Sequence, residues 1–296
     1  MQSADARAAL AGDRQETAHG SGSGLGEYRV IEPQRGIKIG LADVLERREL
    51  LWMLTKRQIE SRYRQMLLGI VWALLEPLGQ LLMMTVVFGY LLRVASEGYP
   101  YPLFAFSGLT AWWLFSRATM AVAGSLLDNI GLISKVYFPR LILPLAATGR
   151  EMFDNVVMLL VLLVLSVAYG YIPSSKALLL PLILFCAAVF ALACGLWVAS
   201  LMVKFRDVRP MLSLGLQAGM YATPIVYSAQ LVPERFRAFY ELNPMFWVVE
   251  FSRWALLGKT VEITSSFYWS LGFIVLSLAG GIIVFSAFEK MSVDVQ

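Results

Sequence analysis

Asn129–Pro144, NIGLISKVYFPRLILP, decides how the rest of the chain is read. It lies between two long apolar runs, yet it holds Lys135, Arg140 and the prolines Pro139 and Pro144, so it cannot cross a bilayer as an ordinary helix. It belongs at a membrane surface, and the runs that flank it read as spans.

Composition agrees with that placement. Of 296 residues, 58% are hydrophobic, against about 45–50% in an average soluble domain, only 16% are charged, and the mean hydropathy is +0.64. The class is an all-α, polytopic integral membrane protein. The net charge of +4 gives no case for nucleic acid, because the bases sit at the ends of apolar runs and form no basic face. Cys186 and Cys194 fall in one apolar run and read as thiols packed among helices, not as a disulfide framework. The single histidine, His19, lies in a Ser/Gly/Ala-rich start, which removes histidine-based catalysis and His-rich metal sites.

Working outward from the surface segment, windows of about 20 apolar residues place six spans near Leu67–Leu92, Leu103–Leu127, Leu145–Tyr169, Ala177–Val203, Met211–Tyr227 and Tyr268–Phe288. Six spans put both termini on one side. The Lys and Arg count names that side as cytoplasmic: the N-terminal helix, Lys135, Arg140, Lys204, Arg206, Arg209 and Lys290 share it, against Arg93 and Lys176 opposite. The expected organisation is a flexible cytoplasmic segment at 1–35, an amphipathic interfacial helix at 36–66, a transmembrane domain at 67–290 and a cytoplasmic tail at 291–296. The start carries no hydrophobic core of a signal peptide, so it is expected to stay uncleaved.

The interfacial helix follows from its wheel. Leu41, Leu45, Trp52, Ile59, Tyr63, Met66 and Ile70 fall in one arc, with Glu46, Arg57, Glu60 and Arg64 opposite. Its bases outnumber its acids, which suits an anionic leaflet, although a helix of a soluble domain gives the same wheel. The outer connection, 228–267, holds the apolar and aromatic Phe246–Leu257, too short to span. It reads either as a re-entrant outer segment broken by Pro233 and Pro244 or as an amphipathic surface helix.

Charges inside or beside spans are candidate functional groups because each needs a partner, water or headgroups: Glu76, Arg117, Asp128, Arg150, Glu151 and Asp154. Glu76 precedes Pro77 and is placed to border a polar cavity or pair with Arg117. Tyr101, Phe104, Gly108, Trp112, Phe115 and Thr119 share a face of the second span, either as a stacking surface for sugar rings or as an interfacial belt. Gly258-Lys259-Thr260 looks like the tail of a phosphate loop, but Arg253 stands where its first glycine is required and no strand precedes it, so no nucleotide site follows. No spacing of carboxylates or nucleophiles suits a hydrolase.

Four stretches taken together resemble one family: Arg57–Leu78 (RQIESRYRQMLLGIVWALLEPL), NIGLISKVYFPRLILP, KFRDVRP at Lys204–Pro210, and TPIVYS with VPERFR and LNP between Thr223 and Pro244. They resemble, in order from about Arg57 to Lys259, the transmembrane subunit of type-2 ABC exporters for polysaccharides, the Wzm-like permeases of O-antigen, capsule and teichoic acid. The resemblance implies a homodimer of six-span subunits in a bacterial inner membrane. It further implies two copies of a separate ATPase, which bind the ATP and Mg while this chain holds no cofactor, and a lipid-linked polysaccharide as cargo. It assigns the cytoplasmic coupling helix to the surface segment at 129–144, with Ser134, Lys135, Val136, Tyr137, Phe138, Pro139 and Arg140 docking on the ATPase. It assigns the outer gate to 228–267, with Pro233, Phe236, Pro244, Phe246 and Trp247. Glu76, Trp112, Phe115 and Arg117 are then channel candidates, although the family usually carries an uncharged residue at position 76. Arg57, Arg62 and Arg64 are candidates for the phosphate linker of the lipid carrier, or simply solvated bases on the leaflet. The alternatives are a small-molecule or ion exporter of the same superfamily, a membrane glycosyltransferase or acyltransferase, and a proton-driven transporter using Glu76 or Asp154.

Overall fold

The structure, a computed structural model, describes residues 41–64, 70–136, 138–205 and 207–291; His19, the expected segment at 1–35 and the expected tail at 291–296 apart from Met291 lie outside the described residues. Regular structure among them is entirely helical. In chain order the helices are α1 (Leu41–Glu46), α2 (Arg48–Arg64), α3 (Ile70–Met84, continued by a π-helical stretch Thr85–Leu91), α4 (Tyr101–Gly124), α5 (Ile130–Ile133), α6 (Ile142–Ala168), α7 (Leu180–Met202), α8 (Val208–Ala222), α9 (Glu234–Glu241), α10 (Pro244–Leu257) and α11 (Ser265–Met291).

Four of these are long and apolar enough to cross a membrane by themselves: Leu74–Leu91, Ile142–Ala168, Ser175–Met202 and Ser265–Ala287. The other two expected spans differ for identifiable reasons. Helix α4 has 24 residues but is rich in Trp, Ser, Thr and Gly, and it is buried nearly all round, packed against α6, α7, α8 and α10. A helix enclosed on all sides by protein need not be as apolar as one facing lipid. Helix α8 stops at Ala222, only 15 residues, about 22 Å at 1.5 Å per residue. The rest of the expected Met211–Tyr227 span is not helical, yet Thr223, Ile225 and Val226 are buried.

Non-helical backbone at membrane depth survives only where protein groups satisfy it. Here Arg253 Nη2–H donates to the Ile225 carbonyl (2.7 Å) and the Tyr101 hydroxyl donates to the Val226 carbonyl (3.0 Å). Close packing holds the centre together. A Cβ on Gly195 of α7 would stand 2.5 Å from Val122 of α4, so only glycine admits that approach. Asn155 of α6 donates to the Thr110 carbonyl of α4 (2.9 Å), and the Trp197 indole of α7 donates to the Ser277 carbonyl of α11 (2.9 Å). Cys186 and Cys194 are free thiols on α7.

The interfacial helix departs from its wheel. A turn at Arg47 separates α1 from α2, and the face buried on α6 carries Val44, Leu54 and Thr55, while Leu45, Trp52 and Met53 are exposed. The wheel registers apolar positions but not which of them meet protein. A helix lying between a bundle and a leaflet has to serve both.

Candidate functional site

At one end of the bundle, called basal here, α2 is tied to α6 by a cluster of charges. Arg62 Nη1 lies 2.8 Å from an Asp154 oxygen and 3.4 Å from a Glu151 oxygen. The Tyr63 hydroxyl donates to Asp154 (2.6 Å), and Arg150 pairs with Glu151, its Nε–H donating at 3.1 Å. Both carboxylates are buried, which explains why three hydrogen-bonding neighbours converge on them. Burial, together with the bond to Asp154, pushes the Tyr63 hydroxyl up to about 12, so it remains a donor at neutral pH. Beside the cluster opens a cavity of about 440 Å³ lined by Leu54, Arg57, Gln58, Ser61, Arg62, Asn129 and Arg150. Three arginines at one opening can hold a phosphate. Arg57 and Arg62 of the expected linker set are thus brought together, Arg150 joins them from α6, and the Arg64 side chain lies outside the described residues.

The surface segment sits at the same end. It runs as a 3-10 turn (Leu127–Asn129), the single turn α5, and irregular chain at 134–136 and again at 138–141. Phe138 is buried among Leu141, Ile142, Leu143, Val122, Leu196 and Phe285, and so pins the segment to the bundle. Ser134, Lys135 and Val136 are exposed, and with Ile133, Phe138 and Arg140 they border a groove of about 230 Å³. Pro139 is half-buried, and Tyr137 lies outside the described residues. Asp128 pairs with Arg209 (3.5 Å), linking the segment to the start of α8.

Within the spans, Glu76 and Arg117 come together as the sequence anticipated, at 3.3 Å, with the Glu76 side chain 64% exposed and that of Arg117 24%. Trp112 and Phe115 do not share that open face. Both are buried inside this chain: Phe115 stacks on Phe190 of α7 at 5.0 Å, and Trp112 packs so closely on Gly219 of α8 that a Cβ there would meet the ring at 2.9 Å.

At the opposite end α9 and α10 form a cap. Pro233 immediately precedes α9, and Pro244 opens α10 after Asn243, whose side chain accepts from Met245 N–H (3.0 Å). Gly258, at φ +74°, closes α10 in the left-handed conformation. Phe246 and Trp247 are buried, with ring centroids 5.3 Å apart and Trp247 against Phe267; Phe236 is half exposed on α9. Beneath the cap runs a network that the sequence reading did not assemble. Arg253, with no exposed surface, pairs with Glu250 (3.2 Å) and lies over the Phe104 ring (3.6 Å). Lys259 bridges Glu250 (2.6 Å) and Glu97 (2.9 Å), and Glu97 also accepts from Ser228. Burial works against the charge of Glu97, but the bonds from Ser228 and Lys259 prevail and hold its carboxyl below the usual range. Gly258-Lys259 is therefore a helix cap followed by a bridging cation. The signal available in the sequence was Glu250 and Arg253 at i, i+3 inside the apolar FWVVEFSRWALL, where charges require partners.

Comparison with known proteins agrees with this architecture. Residues 49–257 match the ABC-2 type transporter family. The chain is 30% identical over 205 residues to the O-antigen export system permease protein RfbA of Myxococcus xanthus, covering 69% of this chain and 78% of the relative. It is 30% identical over 199 residues to the protein of the same name from Klebsiella pneumoniae, covering 67% and 76%. The polysialic acid transport protein KpsM of Escherichia coli is 24% identical over 241 residues, covering 79% and 91%. With the family matched over most of the chain, the conclusion is plain: this protein belongs to the ABC-2 type transporters, as a permease subunit.

Proposed function

We propose that the chain is the membrane-spanning half of an ATP-driven exporter that moves a lipid-linked, O-antigen-like polysaccharide out across the bacterial inner membrane. Two copies form the path and bind two copies of a separate ATPase, which holds the ATP and Mg. Six helices cross the bilayer, with α8 completed by the buried chain at Thr223–Val226. Both termini are cytoplasmic. The basal end is cytoplasmic because Lys135, Arg140, Lys204 and Arg209 gather there, against Arg93 and Lys176 at the cap end.

The observation that carries this reading is the surface segment: it is pinned by buried Phe138, exposed at Ser134–Val136, and continuous with α6. A body that closes on Ser134–Arg140 pushes directly on α6, and α6 carries α2 with it through Arg62, Tyr63 and Asp154. The cavity of Arg57, Arg62 and Arg150 admits the phosphate of the carrier lipid beside that lever. A polymer longer than the membrane is thick needs a continuous path, so ATP-driven closure rocks or parts the two protomers along their seam, beneath caps that gate the outer end. Exposed apolar side chains on α3 (Leu82, Met83, Tyr90) and α8 (Met211, Leu214, Tyr221) suit contact with lipid or a second copy.

The test is the location of lipid-linked glycan in cells lacking the chain. The expected result is glycan trapped on the cytoplasmic side, restored to the surface by the intact chain; normal surface glycan in the deletion sinks the polysaccharide assignment and leaves a smaller cargo.

A further inference from the structure

We propose that the Glu76–Arg117 pair is a polar rung facing the export path, and that it restricts the cargo to glycans without net negative charge. The inference rests on the export reading above and narrows its substrate class.

Glu76 lies inside the apolar Leu74–Leu91 span, yet its side chain is 64% exposed, with Arg117 at 3.3 Å as its partner on the neighbouring helix. A carboxylate open at that depth is strongly unfavourable against lipid, so the stretch of this face around Glu76 is assigned to the path along the seam of the two proposed copies, with the exposed Met83 two turns further along it. One turn further along α3, Gln80 accepts from the Trp113 indole N–H (3.0 Å), which leaves its amide N–H groups, among the described residues, with the Met220 sulfur at 4.0 Å. Two rungs therefore cross from α3 to α4, one charged and one neutral, and both keep hydrogen-bonding capacity on the open side. Gly79 lies exposed between them in sequence, and a Cβ there would meet nothing within 4 Å.

The charge arithmetic sets the cargo. Glu76 and Arg117 sum to zero, and the carboxylate is the more open member, so a passing chain meets negative charge first. Sugar hydroxyls donate to a carboxylate and accept from an amide or guanidinium. A polyanion is repelled by the same carboxylate, and the repulsion is strong where little water screens it. The rung therefore favours a neutral glycan over an acidic polymer such as polysialic acid.

The test uses the complex of this chain with its ATPase in nanodiscs, with Cys186→Ala and Cys194→Ala as background and Gly79→Cys as reporter. Labelling by a cationic and an anionic methanethiosulfonate is compared, each normalised to Ile172→Cys, which is exposed in the α6–α7 connection. The cationic reagent is expected to react about tenfold faster, and Glu76→Gln to remove the preference. A neutral lipid-diphosphate-linked oligosaccharide should slow labelling more than its O-sulfated counterpart, and Glu76→Gln should close that gap. If Gly79→Cys does not assemble, Glu76→Cys reads water access directly. No labelling by either reagent while Ile172→Cys reacts puts this face against lipid or a second copy and overturns the proposal; so does equal protection by the neutral and sulfated glycans. Neither result touches the export reading, which is decided separately by surface glycan in cells lacking the chain.

Discussion

The two ends of the bundle use one chemistry, arginine held by carboxylates, in opposite surroundings. At the cap end Arg253 has no exposed surface and is enclosed by Glu250, the Ile225 carbonyl and the Phe104 ring. At the basal end the Arg62 side chain is 28% exposed and borders an open cavity, although its partners Glu151 and Asp154 are buried. A dry network penalises any loss of a partner, whereas a partly wet one exchanges partners cheaply. The cap is therefore fastened to α4 and to the unwound chain after α8, while at the basal end the arginine that joins α2 to α6 is partly solvated.

The largest expected effect on stability tests the cap. Arg253→Leu takes one of the two cations from buried Glu250, which keeps Lys259, and leaves the Ile225 carbonyl without its donor; it should cost about 3–5 kcal/mol, read as a lowered unfolding midpoint of the purified complex. A change below 1 kcal/mol removes the distinction between the ends. At the basal end, Asp154→Asn loses the ion pair with Arg62 and weakens the bond from Tyr63, at roughly 1–3 kcal/mol; faster proteolysis in α2, with the cap unaffected, is the expected pattern.

Titration sharpens the contrast because the two ends fail in opposite directions. Glu97 has a depressed carboxyl, so its contribution is present above the ordinary carboxylate range and is lost as pH falls through its lowered value. The difference in melting temperature between wild type and Glu97→Gln should vanish in acid. Tyr63 is raised from 10.0 to about 12, so its contribution is present below 10 and is lost as pH rises toward 12. The gap between wild type and Tyr63→Phe should close there. Smallest in stability is Val136→Asp on the exposed surface segment, expected within about 0.5 kcal/mol; it should nonetheless abolish export, and surface glycan at the wild-type level would show that the segment is not the docking site.

Much of this architecture was legible in the sequence. Hydropathy windows placed the four self-sufficient spans, Pro233 and Pro244 marked the breaks that delimit α9 and α10, and charge at membrane depth singled out Glu76 with Arg117. Contacts between segments distant in the chain were not legible. Glu97 and Lys259 are 162 positions apart, and no local pattern couples them. Trp112 and Phe115 had the right spacing for an open aromatic face, but the wheel cannot tell a lumen from the flank of α7. The unwound end of α8 escaped notice because TPIV is apolar enough to continue a span, and only the donors from Arg253 and Tyr101 explain how its carbonyls are satisfied.

The central claim is met most directly by reconstituting the chain with its ATPase in vesicles loaded with lipid-linked glycan and following the glycan with an impermeant lectin on the far side. The account predicts ATP-dependent appearance of glycan with the intact chain and none with Val136→Asp, although both assemble. ATP hydrolysis that never moves glycan, in vesicles where a small solute does cross, would contradict it.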